Sequence, residues 1–300
     1  MACQITNTFR MKLSPIIVFL TLLFVTIDLT AQDQTHDEYV FGAFNSGRIV
    51  NGQSTLNPTN GSLFFIISHQ FGRINEGSYN FFGLDRSTIR LGFEYGINDF
   101  LGVGIGRSSM NKTFDAFVKL KFLHQKNGIK SVPINLSWYN NMAVNSLKWI
   151  DPEVEYTFKN RLAIVSQLLI SRKFNSNFSL QLSPTYIKQN PVFSDQEDKN
   201  TFALGLSGRK KVSKKGSFVF EYFYLLPGYS ADHYQNSLSL GFNIETLGHI
   251  FQIFLTNAQG LYENSFITHT NGKWQNGDIH LGFNIVREFQ VKKLKSFRKK

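Results

Sequence analysis

The chain has 300 residues, with 32 Lys and Arg against 21 Asp and Glu, a formal net charge of +11 and one cysteine. That cysteine, Cys3, lies in a stretch expected to be removed, so the mature chain has neither a disulfide nor a lipid-modified cysteine. Hydropathy is near neutral and no later apolar run reaches the length of a spanning helix, which excludes a helical membrane protein. The 30 Phe and 11 Tyr favour strands.

The N-terminus reads as a secretory signal. Arg10 and Lys12 give a positive start, Ser14 to Ile27 an apolar run, and Leu29-Thr30-Ala31 a small residue for cleavage before Gln32. The run is too short for the roughly 20 residues of a single membrane anchor. Residues 1–31 are therefore predicted as signal peptide and residues 32–61 as a lead on the periplasmic side.

Twelve alternating apolar and polar stretches follow. They are Leu63–Phe71, Thr88–Ile97, Phe100–Arg107, Thr113–His124, Ser131–Tyr139 and Leu162–Phe174, then Phe178–Ile187, Thr201–Val212, Phe218–Leu226, Ser237–Ile244, His249–Thr256 and Asp278–Phe289. Their connections alternate long and tight. Gly72–Ser87, Asn140–Arg161, Lys188–Asn200 and Asn257–Gly277 are long; Asn98-Asp99, Asn175-Ser176-Asn177 and Glu245–Gly248 are tight. A soluble sandwich has no reason to keep every second loop long. An all-β, up-and-down antiparallel transmembrane β-barrel over residues 62–289 does, with tight turns on one side and long loops on the other. An even strand number puts both termini in the periplasm of a cell with an outer membrane, reached by export.

Period two also assigns the faces. Ile89, Leu91, Phe93 and Tyr95 oppose Arg90, Gly92, Glu94 and Gly96, and Leu238, Leu240 and Phe242 oppose Ser239, Gly241 and Asn243. Arg or Lys facing lipid at mid-membrane costs about 2–4 kcal/mol, so Arg90 should point inward, and Glu94 with it. Gly102, Gly104 and Gly106 share one face, making room for a neighbour's bulk or letting the strand curve. The last strand alternates Leu281, Phe283, Ile285, Arg287 and Phe289, an aromatic ending that resembles the signal read by the barrel assembly machinery. Residues 290–300 form a basic tail. It is read as solvated or as a contact for anionic lipid or polymer, and without interleaved aromatics it offers nothing to nucleic acid.

Several motifs carry a family resemblance. They are Ile67-Ser68-His69-Gln70-Phe71-Gly72-Arg73-Ile74, Phe82-Gly83-Leu84-Asp85, Gly104-Ile105-Gly106-Arg107-Ser108-Ser109, Lys112-Thr113-Phe114-Asp115, Gln181-Leu182-Ser183-Pro184-Thr185-Tyr186, Gly248-His249-Ile250-Phe251-Gln252 and Gly277-Asp278-Ile279-His280-Leu281-Gly282-Phe283. Together they resemble the bacterial outer-membrane β-barrels grouped as domain of unknown function 5777, over roughly residues 47 to 289. The resemblance implies a Gram-negative outer-membrane barrel, with no established activity and no catalytic residues to carry over. The tail beyond Phe289 is longer than the family pattern.

Catalytic chemistry finds little support. His269-Thr270-Asn271-Gly272 invites comparison with the His/Ser/Asn arrangement of the outer-membrane phospholipase, but Asn-Gly reads first as a turn. His69, His249 and His280 lack ligand spacing, Asp195, Glu197 and Asp198 read as solvated loop charge, and no cofactor motif appears. The candidate site is a cluster of lumen charges, Arg90, Glu94, Arg107, Asp115, Lys119 and Lys121, read as an internal salt-bridge plug or a selectivity constriction. Twelve strands give a lumen between the filled 8-strand and the open 16-strand cases. The favoured function is a small passive channel for ions or small polar solutes. The alternatives are a closed barrel that docks a partner through the Asn140–Arg161 and Asn257–Gly277 loops (Trp149, Tyr262, Trp274) and, behind it, a lipid hydrolase. Outer-membrane lipid is the expected surrounding partner, and oligomeric state is not legible.

Overall fold

The computed structural model describes residues 37–148, 157–190 and 199–292. Twelve antiparallel strands close into one barrel, each pairing with its barrel neighbours in chain order and the last with the first. They are β1 Ser62–Arg73, β2 Ser87–Gly96, β3 Leu101–Ser108, β4 Phe114–Leu123, β5 Asn135–Val144 and β6 Leu162–Lys173, followed by β7 Phe178–Gln189, β8 Asn200–Lys211, β9 Gly216–Leu225, β10 Ser237–Thr246, β11 His249–Thr256 and β12 His280–Gln290. The stretch read as a signal peptide, Trp149, the acidic trio Asp195, Glu197 and Asp198, and the tail from Lys293 lie outside the described residues.

Turn chemistry closes one end. The Asn98 side chain accepts the backbone N–H groups of Phe100 and Leu101 at 2.9 and 2.8 Å, and Asn175 accepts that of Asn177 at 2.9 Å. These short side chains replace the backbone partners that a two-strand reversal leaves over. Gly248 turns between β10 and β11 at φ +81°, a conformation that other residues rarely adopt. This end is called the turn end below, and the opposite one the loop end.

Burial alternates as the pleat requires. On β10, Ser237, Ser239 and Asn243 are buried inside while Leu240 and Ile244 face out; on β7, Ser179, Gln181, Ser183 and Thr185 are inside. Outward polar atoms find partners on the same face, as hydrocarbon demands: Trp138 Nε1 donates to Ser166 Oγ at 2.9 Å.

Two sequence expectations need correction. The fifth strand runs over Asn135–Val144 rather than Ser131–Tyr139, so Asn140 and Asn141 are strand residues and not the start of a loop. Pro133 lacks the N–H that a ladder position needs. Just before it, Lys126–Asn127 is drawn away to pair with Glu38–Tyr39. The second correction is larger. Residues 32–61 were expected as a periplasmic lead, yet Ala43, Phe44, Ile49, Val50, Asn51, Gln53, Ser54 and Thr55 are buried, and Asn51, Gln53 and Ser54 hydrogen-bond Glu221, Lys119 and Gln181 of the inner wall. The segment folds back through the barrel as a strap before β1 begins.

Candidate functional site

The lumen wall is polar. Ser68, Gln70, Ser137, Gln167, Ser171, Gln181, Ser207, Ser239, Gln252 and Asn284 all stand on inner parity and are buried. Such a wall needs either water or hydrogen-bonding protein against it.

Protein supplies the contact. Past Gly42, whose carbonyl accepts from Arg209 Nη1 at 3.1 Å at the turn end, the strap rises and reverses in a hairpin. There Ile49 N–H donates to the Gly52 carbonyl at 2.8 Å and Ser54 N–H to that of Gly47 at 2.8 Å. At the tip the N–H groups of Val50, Asn51 and Gly52 converge on the Glu221 carboxylate of β9, at 3.3, 3.0 and 2.9 Å. Consecutive amides of this kind form an anion-binding concavity, here filled by a wall carboxylate. Asn284 and Gln252 donate to the carbonyls of Val50 and Ile49 at 3.0 and 2.7 Å. The descending limb is held by Gln181, which accepts from Thr55 N–H at 3.0 Å and donates to the Gln53 carbonyl at 2.7 Å. The Lys119 ammonium donates to Gln53 Oε1, the Ser54 carbonyl and the Leu56 carbonyl at 3.0, 3.1 and 2.8 Å.

From the loop end the connection between β11 and β12 turns inward as well. Its six-residue helix Glu263–Thr268 buries Glu263, Phe266 and Ile267, and Phe266 and Ile267 pack with Val165, Ile187, Phe223 and Leu225. The two insertions meet at Arg48. Its Nη2 lies 3.2 Å from Glu263 Oε1 and its Nε 3.8 Å from Glu94 Oε1 on the wall. Lys119, Gln181, Glu221 and Glu263 each expose 0 % of their surface. Wall charges in an open lumen would be wet, so the middle of this barrel is filled. Cavities remain toward both ends. One of about 320 Å³ at the turn end lies among Phe41, Phe44, Phe100, Lys121 and His124; one of about 680 Å³ at the loop end lies among Arg73, Glu76, Arg86, Asp278 and His280.

The lumen charges foreseen in the sequence fall into three groups. Arg90 and Asp115 pair directly, at 2.9 and 2.5 Å. Glu94 and Lys119 face inward but take their partners from the strap, and Lys121 faces inward beside the turn-end cavity. Arg107 is a correction. It stands on the outward parity of β3 with Leu101, Val103 and Ile105, exposed, its guanidinium carbon 5.5 Å from the Phe114 ring centre. The three glycines of β3 make room for bulk: a Cβ at Gly104 would lie 2.3 Å from Phe117, one at Gly102 3.1 Å from Asn57, and one at Gly106 2.2 Å from Arg90. Arg48, Glu221 and Glu263 were not foreseen.

The looked-for catalytic string His269–Gly272 belongs to the in-turned connection rather than to the lipid-facing wall, with His269 Nδ1 at 2.8 Å from Thr268 Oγ1. The same inward turn buries Tyr262, which was expected to face a partner outside.

A closed barrel of twelve antiparallel strands, apolar outside and polar inside, defines a transmembrane β-barrel protein. More specifically, the chain belongs to the family of membrane-bound β-barrel domains known as domain of unknown function 5777, whose model matches residues 44–289. The match begins at Phe44, inside the strap. Among solved structures, the chain is similar in fold to an outer membrane channel, COG4313, of Pseudomonas putida F1, at 12% identity and TM-score 0.50, covering 82% of this chain and 100% of that one. It also matches the KdgM porin at 9% identity and TM-score 0.46, covering 76% of this chain and 99% of that one. No curated protein matches it in sequence.

Proposed function

We propose that the protein is an outer-membrane channel for ions or small polar solutes, with both termini periplasmic, held shut in this conformation by its own strap. The supporting observation is the chemistry of the contact between strap and wall. Beside the apolar contacts of Ile49, Val50 and their neighbours, it is made by polar groups: Glu221 accepts from strap amides, and Lys119, Gln181, Gln252 and Asn284 donate to strap oxygens. Each of those groups can bond water instead, so withdrawing the strap leaves a wall that water wets. An apolar core would collapse or stay dry. Arg90, Lys119 and Glu94 would then line the constriction and bias permeants by charge. The filled lumen also favours a second reading, a permanently closed barrel serving as a scaffold.

Planar-bilayer conductance separates the two. Gln32–Lys300 is compared with a variant lacking residues 43–56 and with a Thr55→Cys/Ser171→Cys variant, whose hydroxyl oxygens are 2.6 Å apart in the native contact. The mature chain has no other cysteine. The deletion should conduct steadily, and the tethered protein should stay silent until reduced. A deletion variant that keeps the heat-modifiable mobility of a folded barrel and is still silent would establish the scaffold reading.

A further inference from the structure

Arg107, displaced from the lumen, sits at the head of a depression on the lipid-facing wall. The outward side chains of β3 run Leu101, Val103, Ile105 and then Arg107, so the apolar band ends at this guanidinium. Below it the wall is hollowed at Ala116. This residue offers only a methyl group, whereas its cross-strand partners are Ile105 on β3 and Met142 on β5. The hollow, of about 480 Å³, is walled by Leu91, Ile105, Phe114 and Met142 and opens outward. The outward side chains that line it are apolar except at the top, where Arg107 lies over Phe114.

Charge singles this place out. Among the described residues, three other outward cations lie over phenylalanines, Arg172 by Phe174, Lys210 by Phe178 and Arg287 by Phe289, and all three are at the turn end. Arg107 is at the loop end. Among the described residues its guanidinium makes no ion pair or hydrogen bond, and it lies over the Phe114 ring. An arginine at the boundary of hydrocarbon holds its charge most favourably against an anion, and its fork matches a phosphate in two hydrogen bonds.

We infer that this hollow is a binding site for a phosphate-bearing lipid of the membrane leaflet at the loop end. The phosphate pairs with Arg107, and an acyl chain lies in the groove over Ala116. The site is on the outer wall and does not depend on whether the lumen opens.

Native mass spectrometry of the refolded protein tests it, with dioleoyl phosphatidic acid as probe and two controls: dioleoylglycerol, which has the chains without the phosphate, and inorganic phosphate. Wild-type protein should retain one phosphatidic acid molecule, bound at least fivefold more tightly than dioleoylglycerol and not displaced by free phosphate. Arg107→Gln and Ala116→Trp should each weaken retention at least fivefold, the first by losing the phosphate contact and the second by filling the groove. Both changes are on the lipid face, and heat-modifiable mobility checks the fold. A triple Arg172→Gln/Lys210→Gln/Arg287→Gln variant should bind like wild type. Retention unchanged by Arg107→Gln and Ala116→Trp, or lost in the triple variant, would overturn the assignment. So would equal binding of dioleoylglycerol, or displacement by inorganic phosphate alone.

Discussion

Arg90 and Asp115 pair across an intervening strand. Arg90 is on β2 and Asp115 on β4, with β3 between them, and at the crossing β3 carries Gly106, register partner of both Gly92 and Asp115. A Cβ at Gly106 would lie 2.2 Å from Arg90 Nη2 and 2.8 Å from Asp115 Oδ1. The missing side chain is the passage through which two buried charges reach each other.

Gly106→Ala should therefore cost about 1–3 kcal/mol of unfolding free energy, the usual range for overpacking, because the guanidinium is pinned by Asp115 and cannot swing clear. Asp115→Asn should cost more, about 3–5 kcal/mol, since it leaves Arg90 buried beside a neutral amide. Urea unfolding in lipid vesicles reads both. A Gly106→Ala protein as stable as wild type would mean that the pair tolerates separation.

The Glu221 carboxylate gathers three strap amides, and hydrogen bonds to a charged acceptor are worth about 1.5–3 kcal/mol. Glu221→Gln keeps the shape but loses the charge and one acceptor oxygen. The amides of Asn51 and Gly52 should then exchange with solvent roughly tenfold faster or more, while those in mid-β9 keep their protection. Equal acceleration in the strap and in β9 would instead point to a general loss of barrel stability.

Much of this architecture is legible in the sequence because a barrel wall writes itself in period two. Leu238, Leu240 and Phe242 against Ser239, Gly241 and Asn243 assign both faces of β10 without further help. The same logic, applied strictly, would have turned Arg107 outward, because Gly102, Gly104 and Gly106 face in and residue 107 has the other parity. Treating it as a lumen charge let residue type override position. The strap is hidden for a different reason. It has no period, since it packs along a curved polar wall rather than within a ladder, and the wall groups that hydrogen-bond it lie some 60 to 230 residues away. Its one local signal is Asn51-Gly52 beside Ile49-Val50, a turn dipeptide next to apolar residues. Glu221 had a signal too, as a lone carboxylate among Phe218, Phe220, Tyr222 and Phe223. A charge at an inner position of so aromatic a strand requires a buried partner.

Gly47 separates seating of the strap from folding of the barrel. A Cβ there would lie 2.0 Å from Glu94 Oε2, so Gly47→Val should keep the hairpin from docking while the strands still close. Arg48 is buried at 5 % exposure in the docked state and should escape trypsin there. In the variant, cleavage after Arg48 should become rapid while the barrel fragment stays protected, as read by mass spectrometry of vesicle-bound protein. Continued protection of Arg48 would show that Glu94 can move aside without releasing the strap.

The foot of the strap carries a pH-sensitive contact. The His124 imidazole stacks on Tyr39 with ring centres 4.9 Å apart and meets Phe41 edge-on at 5.0 Å. Partial burial pushes its pKa below the ordinary 6.5, and the Lys121 ammonium pushes the same way, against the Val40 backbone and Asp99. The docked state therefore prefers the neutral ring. Its contribution is fully present above pH 6.5, the ordinary imidazole value, and is lost as pH falls through that value toward the lowered one. Acidification should loosen the segment around Val40, whose N–H donates to the Gln125 carbonyl at 2.9 Å. Hydrogen exchange at Val40, corrected for the intrinsic rate and compared between pH 7.5 and about pH 5.5, should show reduced protection at the lower pH, and His124→Gln should flatten the dependence. A dependence that persists in His124→Gln would assign the titration to another group.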